Sequence, residues 1–169
     1  FEDLVFRSAG KAIEASGINV ADARSVFILS STKGAIEGLG KDADENLYLG
    51  ETAQRIATRL GFTTRPVVVC NACISGSAAM ILASRLLQLG TYDHVVVCGA
   101  DCPQRFIISG FQSLNAMSAE SCRPFDIERQ GLNLGEAAAT VVLSSRLPAG
   151  EQATNKSDKR FWTIGHGHI

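Results

Sequence analysis

An excess of charge of either sign is missing: Lys and Arg number 16, Asp and Glu 17, for a net charge of −1. That removes the electrostatic case for nucleic acid or an anionic membrane surface as partner. Missing too is any apolar run near the roughly 20 residues that cross a bilayer, and no secretory apolar segment stands at the start. Lys33-Gly34 lacks the upstream glycine spacing of a phosphate-binding loop, so no nucleotide is expected. Internal repeats and low-complexity tracts are absent from the sequence as well. The five cysteines are odd in number and mostly sit in apolar, strand-like surroundings, which points to reduced thiols in a cytoplasmic protein rather than a disulfide framework. A metal site lacks its second ligand pair: Cys70 and Cys73 are spaced C-x-x-C, but Cys98 and Cys102 are spaced x3 and Cys122 stands alone. What is present is 169 residues, 46% hydrophobic and 20% charged, about one soluble domain with the length to bury a core.

Along the chain, helical and strand-like stretches alternate. Leu4, Val5, Ala9, Ala12 and Ile13 form a helical stripe closed by Gly17, and Ser25–Ser31 is too short and too β-rich for a helix. Residues 32–46 read as a loop or partly helical excursion. Glu45–Leu60 reads as a helix ended by Gly61, and Val67–Cys70 as a buried strand entered through Pro66. An Ala- and Leu-rich helix follows to about Leu89, then a strand from His94 to Cys98. Gly99–Asp126 is long and irregular, the kind of segment that usually carries function. Gly135–Ser144 returns as a strand. The order predicts an α/β fold with a mainly parallel, mixed sheet covered by helices on both faces. Phe1 is no initiator methionine and the first helix reads as mid-domain, so a first strand is expected to precede this chain and more chain to follow Ile169. Residues 1–150 form the expected domain, and 151–169 a linker with the start of a further strand at Phe161.

The densest chemistry lies at Cys70-Asn71-Ala72-Cys73-Ile74-Ser75-Gly76, where a valine strand turns into the small-residue helix. A thiol there meets the positive end of a helix dipole and free N–H groups, the setting in which cysteines act as nucleophiles. The Cys73 N–H could also donate to an oxyanion. Three readings stand side by side: a buried cysteine acting as a small hydrophobe, a nucleophile at Cys73, and a dithiol redox pair of Cys70 with Cys73. Cys70 continues the valine strand and is expected to pack in the sheet, while Cys98, Cys102 and Cys122 are expected as core or pocket-wall thiols. His166 and His168 lie without an acidic partner and read as a solvent-facing strand end. His94 reads as structural. Arg123-Pro124-Phe125-Asp126, with Arg129, reads as a turn before a strand held by Arg–carboxylate pairs.

Three blocks in order, Asn71-Ala72-Cys73-Ile74-Ser75-Gly76, then Val95-Val96-Val97-Cys98-Gly99-Ala100, then Cys122-Arg123-Pro124-Phe125-Asp126-x-x-Arg129-x-Gly131-x-x-x-Gly135-Glu136, resemble the β-ketoacyl-(acyl carrier protein) synthases. These are condensing enzymes of the thiolase superfamily, and the resemblance runs from about Ser25 to Ser144. It implies a thiolase-like fold, two similar α/β halves layered α-β-α-β-α, of which this chain is the N-terminal half. By the resemblance, Cys73 takes an acyl group as a thioester, and a decarboxylated malonyl carrier then attacks it in a Claisen condensation. The Cys73 N–H would supply part of the oxyanion hole, and Phe111, in a Gly110-Phe111 step, would line the acyl pocket. No cofactor or metal is implied, only phosphopantetheine thioesters of an acyl carrier protein as substrates. A homodimer is implied, or a heterodimer with a related subunit.

Departures from the family pattern carry expectations of their own. The family's two histidines and lysine lie in its second half, and His166 and His168 come too early to match them, so these 169 residues alone are expected not to condense. Residues 33–51 are shorter than the lid-like segment of the fatty-acid synthases, which hints at a polyketide or polyene synthase. A non-catalytic chain-length subunit of the same fold is the alternative, although such subunits usually lack the cysteine found at position 73. A dithiol oxidoreductase is a further one.

Overall fold

The computed structural model describes residues 1–39 and 47–145. The expected linker at 151–169, the strand expected from Phe161, and both His166 and His168 lie outside the described residues. Helix α1 spans Glu2–Ser16 and closes on Gly17, whose φ of 65° is the left-handed cap that glycine adopts without a Cβ penalty. Strand β1 is Ser25–Ser30, and helix α2 is Leu49–Leu60, capped the same way by Gly61 at φ 90°. Strand β2 is only Val67–Val69, helix α3 is Ser75–Gln88, and strand β3 is His94–Asp101. Helix α4, Arg105–Ser113, and strand β4, Ala137–Ser144, complete the order.

The four strands form one sheet in the order β2-β1-β3-β4. Strand β1 runs parallel to both neighbours, with Ile28 opposite Val67 on one side and Val97 on the other. Strand β4 is antiparallel to β3, Val95 facing Leu143. The sheet is therefore mixed and mainly parallel. All of β1 is buried, which is why it reads as an unbroken apolar run rather than an alternating one.

Alternation still sorts its side chains. Phe27 and Leu29 point into one core with Val5 and Ala9 of α1, Ala53, Ile56 and Ala57 of α2, and Val96 and Cys98 of β3. Val26 and Ile28 point to the opposite face, where Ala79 and Ala83 of α3 meet Val95, Val97 and Leu143. Two helices thus cover one face and α3 the other. The alanines let α3 lie close against the sheet, and each large side chain so buried contributes about 1.5–3 kcal/mol. Outside the cores, α1 and α2 are joined by Arg55 to Glu2 and Arg59 to Asp3, each at 2.6 Å, with the Arg59 guanidinium also over the Phe6 ring.

Three expectations are corrected. The Val67–Val69 strand is an edge strand and only half-buried, because β1 is its sole partner among the described residues. Residues 99–126 are not wholly irregular: β3 runs on to Asp101 and α4 follows it. The predicted helix at 45–60 begins at Leu49 among the described residues.

Candidate active site

All three parallel strands end on the same edge of the sheet, and that edge collects the candidate residues. In open α/β sheets this is where ligands bind. Strand β2 stops at Val69, whose carbonyl accepts from the Ser31 N–H at 3.3 Å, the last backbone bond between the two strands there. Beyond it the chain turns sharply. Ala72 holds φ 45°, a left-handed conformation that costs a non-glycine residue about 1–3 kcal/mol. Ala72–Ile74 make a single 3-10 turn, with the Ile74 N–H on the Asn71 carbonyl at 3.1 Å, and α3 begins at Ser75. Cys73 thus sits inside the turn that precedes α3 rather than on the helix itself, and it is exposed.

Ser75 secures this turn. It is 5% exposed, and its Oγ accepts from the Asn71 N–H at 2.8 Å while donating to the Ala72 carbonyl at 2.7 Å. The small residue after it leaves room: a Cβ added to Gly76 would meet nothing within 4 Å.

Cys70 differs from its expected place. It lies past the end of β2 and is exposed, its Sγ 3.7 Å from the Thr32 carbonyl oxygen. The strand stops one residue too early to carry it into the sheet, so both thiols of the C-x-x-C pair are accessible. Cys98 and Cys102 are buried as expected, and burial pushes both thiols up from the ordinary cysteine range. Cys122 is exposed, contrary to its reading as a core or pocket-wall thiol, because it lies on a loop whose backbone is tied to Asn133 rather than to the sheet.

A neighbouring group escaped the sequence reading. The Asp101 carboxylate, at the end of β3, accepts from Ser31 Oγ at 3.0 Å, Thr32 N–H at 3.3 Å and Thr32 Oγ at 3.4 Å. It pins the chain leaving β1, and through Thr32 the carbonyl that Cys70 faces. An acid closing a run of valines was the available signal.

Phe111 lies on α4 and is half-buried, its carbonyl accepting from the Ala116 N–H at 3.0 Å. Helix α4 rises from the end of β3, on the sheet edge that carries the Cys73 turn. Strand β1 separates the two, a lateral offset of about 10 Å at ordinary strand spacing. No residue of α4 is buried, and Phe106 stands 56% exposed. The Arg123–Asp126 turn is as read, an ion pair at 3.4 Å with the Arg129 guanidinium donating to the Asp126 carbonyl at 3.0 Å. His94 opens β3, bonded to Ser144 Oγ across the sheet at 2.8 Å, a structural role. Among the described residues no three His, Cys, Asp or Glu gather as metal ligands, and no helix is long and apolar enough to cross a membrane.

The family model described as "Beta-ketoacyl synthase, N-terminal domain" matches residues 1–149. A 3-oxoacyl-[acyl-carrier-protein] synthase 2 from Rhizobium meliloti is 37% identical over 83 residues, 44% of this chain and 20% of that protein. Among solved structures, a β-ketoacyl synthase from Burkholderia phymatum superposes with a TM-score of 0.73 at 26% identity, over 85% of this chain and 41% of that one. A ketosynthase from Xenorhabdus doucetiae, solved in complex with its chain length factor, superposes with a TM-score of 0.64 at 27% identity over 82% of this chain and 38% of that one. The chain thus spans well under half the length of these relatives. The superpositions carry the thiolase-like fold, over its N-terminal part.

Proposed function

Because the chain belongs to the β-ketoacyl synthase family, matched over residues 1–149 by that family's N-terminal domain, we propose that Cys73 is the acyl-accepting nucleophile of a condensing enzyme. The observation that carries this reading is the placement of an exposed thiol on the strained turn between a parallel strand end and the start of α3. The acyl group arrives as the phosphopantetheine thioester of an acyl carrier protein. Cys73 sulfur attacks the thioester carbon, the carrier thiolate leaves and takes up a proton, and the acyl group stays on Cys73. During the attack the carbonyl oxygen gains negative charge, and the Cys73 N–H donates to it. A malonyl carrier then loses carbon dioxide. Its carbanion forms the new carbon–carbon bond, and Cys73 leaves as thiolate.

In this reading the groups that assist decarboxylation belong to the second half of the fold, so residues 1–169 alone do not carry out condensation. No cofactor enters the scheme. Phe111, half-buried above the same sheet edge, lines the acyl pocket. The full-length protein works as a homodimer in the cytoplasm, its accessible thiols kept reduced. A second reading, a heterodimer with a chain-length partner subunit in polyketide or polyene synthesis, is favoured by the similarity to the ketosynthase solved with its chain length factor. Within it, the thiol at position 73 supports reading this chain as the catalytic member.

The test is acyl loading. Full-length synthase incubated with an acyl carrier protein thioester is expected to gain the acyl mass on the peptide containing Cys73, and Cys73→Ala to lose it. Loading on Cys70 or Cys122 instead, or on no cysteine, would overturn the reading. Native mass measurement, alone and with a candidate partner, separates homodimer from heterodimer.

A further inference from the structure

Helix α3 begins with a serine that does more than start it. The peptide group joining Ala72 to Cys73 carries two polar groups that lie in one plane and point in opposite directions: the Ala72 carbonyl and the Cys73 N–H. Ser75 Oγ donates to that carbonyl at 2.7 Å and accepts from the Asn71 N–H at 2.8 Å. The hydroxyl therefore bridges the two sides of Ala72, the residue held at φ 45°. At 5% exposure, no water competes freely for either bond.

We propose that Ser75 is the positioning residue for the oxyanion donor of Cys73. The proposal rests on the acyl-transfer reading above. By fixing the carbonyl end of the Ala72–Cys73 peptide, Ser75 fixes the direction of the N–H at the other end, because the plane is rigid. A hydrogen bond accepted by the carbonyl also polarises the peptide and makes its N–H a stronger donor. Ser75 touches neither acyl group nor sulfur and acts only through that peptide. Without the hydroxyl, Ala72 keeps its unfavourable backbone angle with nothing to hold it, and the peptide plane rotates away. Asn71 would lose the partner of its N–H at the same time, while the Ile74 N–H keeps its bond to the Asn71 carbonyl at 3.1 Å and holds the turn and its thiol in place.

Two reactions of the same sulfur separate this role from a structural one. Acylation by a carrier thioester develops an oxyanion; alkylation by iodoacetamide displaces iodide at a saturated carbon and develops none. In the full-length synthase, Ser75→Ala is expected to slow Cys73 acylation roughly ten- to hundred-fold, less than the 10²–10³ seen when an oxyanion donor is removed outright. Its iodoacetamide rate and the pH profile of that rate should stay within about threefold, since the sulfur itself keeps its place. Ser75→Thr, which retains the hydroxyl, should recover most of the acylation rate. Should the alanine variant not fold, Ser75→Gly removes the same hydroxyl and is scored the same way. Equal falls in acylation and alkylation would overturn the proposal in favour of simple disruption of the turn, and an unchanged acylation rate would overturn it outright. Absence of acylation in the unsubstituted protein would instead remove the acyl-transfer reading, and this one with it.

Discussion

Gly131→Ala should open one loop pairing and leave the sheet intact. Gly131 has φ 139°, a region open to glycine and costly for any residue with a Cβ. A Cβ built there would lie 2.7 Å from the Ala116 carbonyl oxygen and 2.8 Å from both Met117 C and Ser118 N. These are backbone atoms, so no side chain can swing aside. Next to the clash lies a short parallel bridge, Met117 to Leu132, made by Ser118 N–H on the Leu132 carbonyl and Leu132 N–H on the Ala116 carbonyl, each at 2.9 Å. Backbone strain of about 1–3 kcal/mol plus the clash competes with two hydrogen bonds worth about 0.5–1.5 kcal/mol each. The bridge is the weaker side, so it separates, and its own strength of about 1–3 kcal/mol caps the loss. Amide hydrogen exchange reads this directly. Ser118 and Leu132 should exchange roughly 5- to 150-fold faster, while the amides of β1 and β3 keep their protection. Unchanged exchange at Ser118 would refute the steric reasoning. An equal loss across β1 and β3 would refute the claim that the damage stays local.

The sheet core and the buried thiols give two more tests. Phe27 is fully buried in β1 with the Phe62 ring 5.8 Å away, so Phe27→Ala should cost about 3–5 kcal/mol in a urea titration, and a cost under 1 kcal/mol would contradict the packing. Burial raises Cys98 and Cys102, so the folded state keeps protons that the unfolded state loses above about pH 8.5. Their contribution is complete below that pH and is lost as pH climbs through the folded values; the urea midpoint should fall from pH 7.5 to 9.5, and a rise would reverse the sign of the argument.

Much of the sheet was legible because β1 and β3 are buried on both faces, and unbroken runs such as Val26–Leu29 and Val95–Val97 follow from that. Glycines 17 and 61 marked two helix ends for the same local reason, a left-handed cap. Helix α4 was not legible. It is nine residues long, carries Gly110 in its interior and buries none of its side chains, and a stripe as short as Ile107, Ile108 and Phe111 did not outweigh its glycine and β-branched residues. Cys70 was misplaced because strand ends depend on pairing, and β2 has β1 as its only partner among the described residues. The thiol at Cys73 could be placed from its neighbours alone, the valines before it and the small residues after. The serine that braces its turn could not, since a serine at a helix start is ordinary in sequence and only the two hydrogen bonds of its Oγ set it apart.

The pairing of β1 with β3 has a consequence for how the chain is born. Ser25 pairs with His94, about seventy residues further along, so the central ladder of the sheet cannot close until both strands are made. At synthesis rates of 5–20 residues per second, β1 waits roughly 3–14 seconds for β3, with only the short strand β2 to pair with before then. Through that interval the β3 side of Val26, Phe27, Ile28 and Leu29, an uncharged β-prone tetrad, stays unpaired and suited to pairing with other chains. Until then α1 and β1 must be shielded by other means, which makes the nascent chain a natural client for a chaperone.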